Sequence, residues 1–503
     1  MGTAEAITRP AQGPGVSDVE VVPNLVGGEW VHPRDVEFFD VYNPATAEVI
    51  ARTPLSGADD VDAAVTAAGR AFHEWRETPV VLRARILMHF HQKLEQHFDE
   101  LVRLVTTNQG KTLAEGRGSL MRTIENVEVA CAGPSLLMGG YGLENVGARG
   151  VDSHVIREPL GVCAIITPFN FPAMVPMMFL PYALVAGNTV VVKPSEQVPL
   201  LQRRLAELLM ECDLPPGVLN IVNGGPQAVE ALCDHSDVRA VSFVGSSPVA
   251  RTVYQRATST GKRAQCFGGA KNLVVVMPDV DLDQAMKSVT ESFFVCAGQR
   301  CLAASLMVPV GPEVHRAARE RMVDLAGSYR LGDGAAEGTT MGPVVTGAAR
   351  DRVNGMIDRN AQAGVSLALD GRDARVEDRP DGFFIGPTIF DNVTTDVEIG
   401  TEEVFGPVAA IAPVRDLEDA FDMMRRIPKA NAAAIFTSSG KAAREFTHRA
   451  EASMVGVNIG VPAPMAYFPF GGAKDSFFGD IKAHGRDGFD FFTQKKQIIY
   501  RWI

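Results

Sequence analysis

The chain lacks several features that would assign it to a class of protein at once. No apolar run reaches the roughly 18 residues that a bilayer-spanning helix needs, and the first fifteen residues, MGTAEAITRPAQGPG, contain no hydrophobic segment of the signal-peptide type. The net charge is −12 and the sequence has no cluster of Lys and Arg, which argues against a nucleic-acid partner. We therefore expect a cytoplasmic protein that binds neither membranes nor nucleic acid.

Cysteine follows no pattern of bridges or metal ligands. The seven Cys residues are odd in number and no two form a CxxC pair, so the sequence predicts neither a disulfide framework nor a metal site. They stand at positions 131, 163, 212, 233, 266, 296 and 301. We expect reduced thiols, most of them buried as small apolar side chains.

What is present is enough apolar material for more than one core. The 503 residues are 46% hydrophobic and 21% charged, which suits two or three domains. Residues 59–132 carry apolar side chains at helical spacing. From residue 151, β-branched runs such as VCAIIT, NTVVVKP and VRAVSFVG alternate with helical stretches, and the alternation restarts after residue 272. This pattern indicates an α/β fold with two parallel, doubly wound sheets.

Two strand ends in the first sheet favour a nucleotide. Lys193 and Glu196 end one strand, where they either bind a ribose or are ordinary solvated loop charges. Residues 242–247 (SFVGSS) enter a helix through Gly245 and Ser246, where backbone N–H groups favour a pyrophosphate. The GxGxxG fingerprint is absent here, so this turn alone is weak support for a dinucleotide site.

Two other segments carry reactive or polar side chains in small-residue surroundings. Residues 296–301 (CAGQRC) end in Cys301, a candidate nucleophile because a thiolate is strongly nucleophilic even when partly ionised. Residues 165–172 (IITPFNFP) form a strand and a proline-bounded turn. The Asn170 amide in this turn either donates a hydrogen bond to an oxyanion or only closes the turn.

In order and spacing, these segments resemble the aldehyde dehydrogenase superfamily from about residue 25 to the C-terminus. Residues 402–408 (EEVFGPV) complete the set. Within the superfamily the chain is most similar to the CoA-acylating branch that contains methylmalonate-semialdehyde dehydrogenases. That similarity rests on GAKN at 269–272, Arg300 before the nucleophile, NIGVPAP at 458–464 and FPFGG at 468–472. Leu273 departs from the branch, which often has histidine there.

The resemblance implies the aldehyde dehydrogenase fold. Its expected parts are a disordered tail (1–20), an NAD-binding domain (21–139 and 159–271), a catalytic domain (272–455), a substrate-pocket or linker segment (456–487) and a small oligomerisation arm (140–158 and 488–503). The final residues, FDFFTQKKQIIYRWI, are predicted to form a strand that pairs with another subunit. We expect a homodimer or homotetramer.

The resemblance also assigns roles to individual residues. Cys301 attacks the aldehyde, the Asn170 side chain and the Cys301 backbone N–H bind the oxyanion, and hydride passes to NAD. Cys296 is expected on the preceding helix as a packing residue. The residues assigned to NAD are Thr167, Pro168, Phe169, Lys193, Ser195, Glu196, Gly245, Ser246, Gly268, Glu403 and Phe405.

A deacylating base is missing from the glycine turn at 266–272 (CFGGAKN). Hydrolytic members open this turn with a glutamate, four residues before the lysine position, that activates water. We assign this position to Cys266, and Gln265 before it cannot act as a base. Cys266 is either a second nucleophile, a redox partner or, as we favour, a small buried residue. Loss of a positioned base slows its step by ~10²–10⁴, which leaves the thioester available to coenzyme A.

Arginine suits a substrate that carries a carboxylate, because its guanidinium binds carboxylate bidentately and stays charged. The resemblance assigns Arg122, Arg300 and Phe171 to the substrate. The alternative for Arg122 is a salt bridge with Glu125 or Glu128 of its own helix.

The sequence therefore predicts NAD-dependent oxidation of malonate or methylmalonate semialdehyde, yielding acetyl-CoA or propionyl-CoA and CO2. One alternative is a hydrolytic NAD-dependent dehydrogenase of another short acidic aldehyde. A second is a non-catalytic scaffold on the same fold, against which the intact Cys301, Asn170, Lys193 and Glu403 argue.

NAD should be preferred to NADP, because Glu196 would face the 2′-phosphate as a like charge at a cost on the order of a few kcal/mol. The measurement is kcat/KM with each cofactor. Glu196→Gln should reduce the ratio of kcat/KM for NAD to kcat/KM for NADP. Equal efficiency of the wild type with both cofactors would show that Glu196 points elsewhere.

Overall fold

The structure, a computed structural model, describes residues 19–138 and 140–502. The predicted tail, residues 1–20, lies outside this part of the chain except for its last two residues, and so do Gly139 and Ile503.

Four strands and four long helices come first. They are β1 (Asn24–Val26), β2 (Glu29–Val31), β3 (Phe38–Asn43), β4 (Glu48–Pro54), α1 (Ala58–Trp75), α2 (Val80–Gln96), α3 (Phe98–Gln109) and α4 (Leu113–Cys131). The helical region predicted at 59–132 is confirmed. Gly110 ends α3 in a left-handed conformation (φ 94°), and Thr112 begins α4 with a capping box to Glu115.

Strands and helices then alternate. They are α5 (Gly133–Leu136), β5 (Gly142–Leu143), β6 (Val151–Pro159), β7 (Val162–Ile166), α6 (Met174–Met177), α7 (Leu180–Ala186), β8 (Thr189–Lys193), α8 (Pro199–Met210), β9 (Leu219–Ile221), α9 (Pro226–Asp234), β10 (Val238–Val244), α10 (Ser247–Ser259) and β11 (Arg263–Phe267). Nearly all residues of β7, β8 and β10 are buried, as expected of apolar strands covered on both faces.

The alternation restarts at residue 272, as the sequence predicts. The elements are β12 (Asn272–Val276), α11 (Leu282–Phe294), β13 (Ala304–Pro309), α12 (Pro312–Gly327), α13 (Gly347–Gln362), β14 (Ser366–Leu369), β15 (Thr388–Asp391), α14 (Glu398–Thr401), β16 (Val408–Ile411), α15 (Leu417–Arg426), β17 (Lys429–Ala430), β18 (Ala432–Phe436), α16 (Gly440–Arg449), β19 (Met454–Val457), β20 (Ala473–Lys474), β21 (Phe477–Phe478), α17 (Gly485–Phe491) and β22 (Thr493–Arg501).

Two large sheets organise the molecule. The first has the order β2-β1-β9-β8-β7-β10-β11-β21, with parallel pairing from β9 to β11. The second has the order β14-β15-β16-β13-β12-β18-β19 and is parallel from β15 to β19. The predicted α/β class with parallel sheets is confirmed. Residues 268–271 join β11 to β12, so they connect the carboxyl edge of the first sheet to the amino edge of the second.

The segment after β19 returns to the first sheet. Its strand β21 pairs antiparallel with the end of β11, through Phe478 opposite Cys266 and Phe477 opposite Phe267. The Gly268 N–H also donates to the Ser476 carbonyl at 2.9 Å. Part of the predicted substrate-pocket segment therefore belongs to the first sheet.

A third sheet, β22-β6-β5, contains the C-terminal strand. β22 pairs antiparallel with β6 over nine residue pairs, from Thr493 opposite Pro159 to Arg501 opposite Val151. The terminal strand is confirmed from Thr493, but the preceding FDF belongs to α17, where Phe489 and Phe491 are buried. Ile499 is 62% exposed on β22. The domain boundaries, the role of this sheet as an arm and the oligomeric state stay predictions.

The described ranges contain neither a candidate membrane span nor a candidate metal cluster. None of their helices is both long and apolar enough to cross a membrane, and they contain no group of three or more His, Cys, Asp or Glu side chains that could hold a metal ion.

Candidate active site

The predicted cofactor residues follow the carboxyl ends of adjacent strands of the first sheet. Lys193 ends β8, Thr167 follows β7, Gly245 follows β10 and Gly268 follows β11. Hydrogen bonds join these ends: the Thr167 N–H donates to the Lys193 carbonyl at 3.1 Å, and the Gly245 N–H donates to the Phe267 carbonyl at 3.0 Å. The chain leaves β7 toward β8 on one side and returns with β10 on the other, so this edge contains a topological switch point, where ligands bind in open α/β sheets.

Lys193 and Glu196 form an ion pair at this edge. The Lys193 Nζ lies 3.0 Å from a Glu196 carboxylate oxygen, and Lys193 is only 5% exposed. The interpretation as solvated loop charges is therefore wrong for Lys193. Ser195 between them is also buried, and its hydroxyl accepts a hydrogen bond from the Gln197 N–H at 3.3 Å. A buried amine beside a partly buried carboxylate can bind two hydroxyls of one ribose.

The helix α10 begins at the edge beside them. Ser246 is its exposed N-cap residue, with extended backbone and no side-chain capping hydrogen bond. The next residue, Ser247, uses its hydroxyl to accept from the Gly269 N–H at 3.0 Å. The first N–H groups of this helix and its dipole therefore offer a site for phosphate oxygens.

Glu403 enters the cleft from the second sheet. Its carboxylate accepts a hydrogen bond from the Ala270 N–H at 2.9 Å and lies so close to the Cα of Gly269 that a side chain at Gly269 would collide with it. Burial raises the pKa of Glu403 to about 7. Phe405 packs perpendicular to Phe169, with ring centroids 5.7 Å apart. These contacts bring predicted cofactor residues of both sheets together.

These features fit a dinucleotide. A lysine–glutamate pair suits the adenosine ribose, a helix start suits the pyrophosphate, and a carboxylate held at a glycine turn suits the second ribose. Of the predicted cofactor residues, the structure gathers Thr167, Pro168, Phe169, Lys193, Ser195, Glu196, Gly245, Ser246, Gly268, Glu403 and Phe405 around this one edge.

The candidate nucleophile follows a strained turn. After α11, residues Val295–Gly298 form one 3-10 turn in which Cys296, Ala297 and Gly298 all have positive φ. The Cys296 N–H donates to the Glu115 carboxylate at 2.5 Å. Cys296 is buried as predicted, but it lies in this turn and not on the helix. Strain of this kind costs about 1–3 kcal/mol per residue and persists only where the surroundings enforce it.

Cys301 lies three residues beyond the turn. Its carbonyl accepts hydrogen bonds from the side-chain amides of Asn272 at 3.0 Å and Asn431 at 3.2 Å. Burial, and secondarily the charge of Glu403, raises the pKa of the Cys301 thiol to about 12. The thiol is therefore protonated at neutral pH in this state, and a proton must leave before it can attack.

Asn170 reaches the nucleophile loop from the first sheet. It is buried, and its Nδ2 donates to the Gln299 carbonyl at 3.2 Å, two residues before Cys301. The amide has a second N–H for an oxyanion on the substrate of Cys301. Asn170 does more than close its own turn, because its hydrogen bond joins the two predicted domains.

Comparison with known proteins agrees with this geometry. The model of the Aldehyde dehydrogenase family matches residues 30–498. The malonate-semialdehyde dehydrogenase 1 of Geobacillus kaustophilus (strain HTA426) is 46% identical over 497 residues, covering 99% of both chains.

The chain belongs to the aldehyde dehydrogenase family.

Solved structures of the family superpose closely. A protein of Sinorhizobium meliloti 1021, assigned as a methylmalonate-semialdehyde dehydrogenase and solved with NAD, has a TM-score of 0.95 and 41% identity, with 97% of this chain and 99% of that chain covered. The methylmalonate-semialdehyde dehydrogenase of Oceanimonas doudoroffii has a TM-score of 0.94 and 41% identity, with 96% and 99% covered. The predicted aldehyde dehydrogenase fold is confirmed.

The assignment of the missing base to Cys266 is wrong. Cys266 is fully buried on β11 and packs with Val241 and Ala250 on the face of the sheet that α1, α9 and α10 cover. Burial raises the pKa of its thiol far above the ordinary range. This thiol is a packing residue that faces away from the cleft.

Phe267 occupies the position four residues before Lys271. Side chains alternate along a strand, so Phe267 points to the opposite face from Cys266. The Phe267 ring packs against three other aromatic rings, with centroid-to-centroid distances of 4.9–6.1 Å. They are the rings of Phe179, Phe470 and Phe477. Cys301 packs against the same apolar cluster. Hydrocarbon therefore stands where hydrolytic family members carry their glutamate.

The two candidate substrate arginines are both engaged. Arg122 pairs with Glu125 at 2.6 Å, which is the alternative considered from the sequence, and its side chain is 42% exposed. Arg300 donates from Nη2 to the carbonyls of Glu291 and Ser292 at the end of α11, while its buried Nε has no partner. Phe171 packs against the apolar core of the first sheet, with the Lys111 Nζ 4.2 Å from its ring centre. The substrate-binding role of these residues stays a prediction.

Sequence reasoning gave no role to two buried lysines of the site. Lys111 and Lys271 are each 1% exposed. Burial lowers the pKa of Lys271 to about 7, against the opposing influence of Glu403. The sequence signal for Lys111 is its position in the short loop between α3 and α4, directly before Thr112, which begins the capping box of α4.

Gly298 should tolerate no side chain. A Cβ there would collide with the Gly406 carbonyl, and the residue has φ 69°. Gly298→Ala should lower kcat by about tenfold or more, because it separates the Cys301 loop from the Glu403 loop. Gly261→Ala is the matched control: φ is 77°, but no atom lies within 4 Å of the new Cβ. It should cost about 1–2 kcal/mol of stability through strain alone and leave kcat unchanged. Equal kcat for Gly298→Ala and wild type would contradict the packing argument.

Hydride transfer should depend on the ionisation of Glu403. With its pKa raised to about 7, the carboxyl is protonated below that pH and becomes a full acceptor for ribose hydroxyls only above it. The rate of hydride transfer should therefore rise with pH up to about 7 and then level, and Glu403→Gln should remove this inflection. Glu402→Gln, an exposed neighbour, should keep it. An unchanged inflection in Glu403→Gln would assign it to another group.

Proposed function

We propose that this enzyme oxidises malonate or methylmalonate semialdehyde with NAD and transfers the acyl group to coenzyme A with release of CO2. The observation that carries the acyl-transfer part is Phe267. A phenylalanine packed among other rings replaces the base that activates water in hydrolytic family members, so the thioester on Cys301 has no water-activating group at that position. The names of relatives 44–47% identical to this chain, all malonate-semialdehyde dehydrogenases, support the same substrate class.

The reaction begins at Cys301. Its thiolate adds to the aldehyde carbon, and the carbonyl oxygen becomes an oxyanion that the Asn170 amide and the Cys301 backbone N–H bind. NAD, when bound at the edge described above, supplies the hydride acceptor that turns the thiohemiacetal into a thioester. Glu403 and Lys193 orient that cofactor through its riboses. Burial disfavours the charged form of Cys301, so its thiol proton must pass to water before the thiolate can attack.

Both later steps, the loss of CO2 and the transfer to coenzyme A, take place on this thioester. A carboxylate β to the thioester carbonyl can leave as CO2, because the carbonyl accepts the electron pair of the breaking bond, and the resulting enolate then takes up a proton from water at its α-carbon. The thiolate of coenzyme A attacks the same carbonyl and displaces the Cys301 sulfur. We assign the substrate carboxylate to Arg300, since its buried Nε is without a partner and the guanidinium remains charged.

One observation favours a second candidate, a hydrolytic dehydrogenase of a short acidic aldehyde. Glu403 has its pKa raised to about 7 and is close enough to perturb the Cys301 thiol. A carboxylate with this pKa is suited to activate water. Its hydrogen bond with the Ala270 N–H and its position at the glycine turn instead favour the ribose.

The proposal extends to context and assembly. We expect an enzyme of the cytoplasm that forms a homodimer or homotetramer through β22, on which Ile499 is exposed and after which Trp502 stacks on Tyr500.

The deciding experiment mixes the wild-type enzyme with malonate semialdehyde and NAD in a stopped-flow instrument, with and without coenzyme A. Without it, NADH should appear as a burst of about one equivalent per active site and then slowly; with it, the steady rate should rise and acetyl-CoA should form. Cys266→Ser should behave as wild type, because that thiol faces away from the cleft. A steady rate and products indifferent to coenzyme A would establish the hydrolytic reaction, and absence of a burst would exclude the Cys301 thioester.

A further inference from the structure

A buried lysine lies beneath the oxyanion site. Lys111 is 1% exposed, and within the described ranges no carboxylate lies within ion-pair distance of its Nζ. Its amine donates to the Asn170 backbone carbonyl and to the Gln109 side-chain oxygen at 3.0 Å, and it lies 4.2 Å from the centre of the Phe171 ring. Burying an amine without a counter-ion is costly, so these contacts require an explanation.

The main chain of Lys111 is held by the loop between α12 and α13. A Cβ at Gly334 or Gly342 would collide with the carbonyl of Lys111 or of Gly110, and the Leu113 N–H donates to the Gly334 carbonyl at 3.0 Å. The capping box of Glu115 continues this anchor, because the same carboxylate accepts from the Cys296 N–H at 2.5 Å. The backbone that carries the Lys111 side chain is therefore held in place.

Asn170 is held at both ends. Lys111 fixes its backbone carbonyl, and its side-chain Nδ2 donates to the Gln299 carbonyl in the nucleophile loop. If the first bond is lost, the peptide after Asn170 can rotate, and the amide loses its direction toward the substrate of Cys301. Such donors act by being preorganised, so a small loss of direction removes much of their effect.

We propose that Lys111 is a positioning residue of the oxyanion site: it fixes the Asn170 main chain and the Phe171 ring so that the Asn170 amide stays directed at the reacting carbonyl. This proposal rests on the role of Asn170 in the proposed function. It does not depend on which semialdehyde is the substrate or on transfer to coenzyme A.

A double-mutant cycle tests it with propanal, NAD and saturating coenzyme A, so that no substrate carboxylate contributes and slow deacylation without an acyl acceptor does not limit kcat. Removal of one oxyanion donor costs ~10²–10³ in kcat, and we expect Lys111→Met to lower kcat by roughly 10–100-fold through the misdirected amide. In the Asn170→Ala background the same change should lower kcat by less than about threefold, since the group it positions is already gone. The dissociation constant of NAD should stay within about twofold of wild type in every variant.

Lys262→Met is the matched control. Lys262 is also buried, at 7% exposure, and donates to the Thr260 hydroxyl at 2.9 Å, but it precedes β11 at the amino edge of the first sheet. This variant should lose thermal stability and keep its kcat. If Lys111→Met does not fold, Lys111→Gln, which retains a hydrogen-bond donor, replaces it in the double-mutant cycle.

The outcomes separate the two ideas. Unchanged kcat in Lys111→Met, or equal losses in the wild-type and Asn170→Ala backgrounds, would overturn the positioning role and leave the proposed function standing. Unchanged kcat in Asn170→Ala itself would overturn the oxyanion role on which both depend.

Discussion

The side-chain amide of Asn272 holds together the junction on which the rest of the site depends. Its Nδ2 donates to the carbonyls of Cys301 at 3.0 Å and Ala303 at 2.7 Å, and its Oδ1 accepts from the Ala432 N–H at 2.8 Å. One buried side chain thus ties together the starts of β12, β13 and β18, directly after the glycine turn that leaves the first sheet. Buried backbone groups require hydrogen-bond partners, so the buried Asn272 side chain fixes the nucleophile relative to the cofactor edge.

Around this junction the molecule concentrates buried charge. Burial disfavours the charged forms of the amines of Lys111 and Lys271 and of the carboxylate of Glu403. It therefore lowers the pKa of both lysines and raises the pKa of Glu403. A protein of marginal stability keeps such groups where their chemistry is used. The strained turn at Cys296 and Ala297 is a second cost at the same place. The packed sheets on either side supply the stability that offsets both.

The sequence was sufficient for the architecture and for the sheet edge at which the candidate cofactor residues lie, because both rest on short-range signals. Buried strands ending in polar or glycine turns predicted Lys193, Gly245 and the carboxyl edge where they meet. The failure at Cys266 has a simple physical origin: strand side chains alternate, so a count that is wrong by one residue selects the opposite face of the sheet. Lys111 escaped notice because its partners, Asn170 and Phe171, lie far along the chain, and only the fold brings them together. The pairing of Arg122 with Glu125 was foreseen as an alternative, since both stand on one helix face.

The return of the chain from the second sheet to β21 has a mechanical consequence. Two covalent connections, residues 268–271 and the segment between β19 and β21, now cross between the sheets at neighbouring points, and the Gly268 N–H bonds to the Ser476 carbonyl between them. A single connection would serve as a hinge, but two tethers bonded to each other resist bending. The two sheets should therefore keep one relative orientation throughout the catalytic cycle, so that binding of substrate and cofactor needs no closure of one sheet over the other.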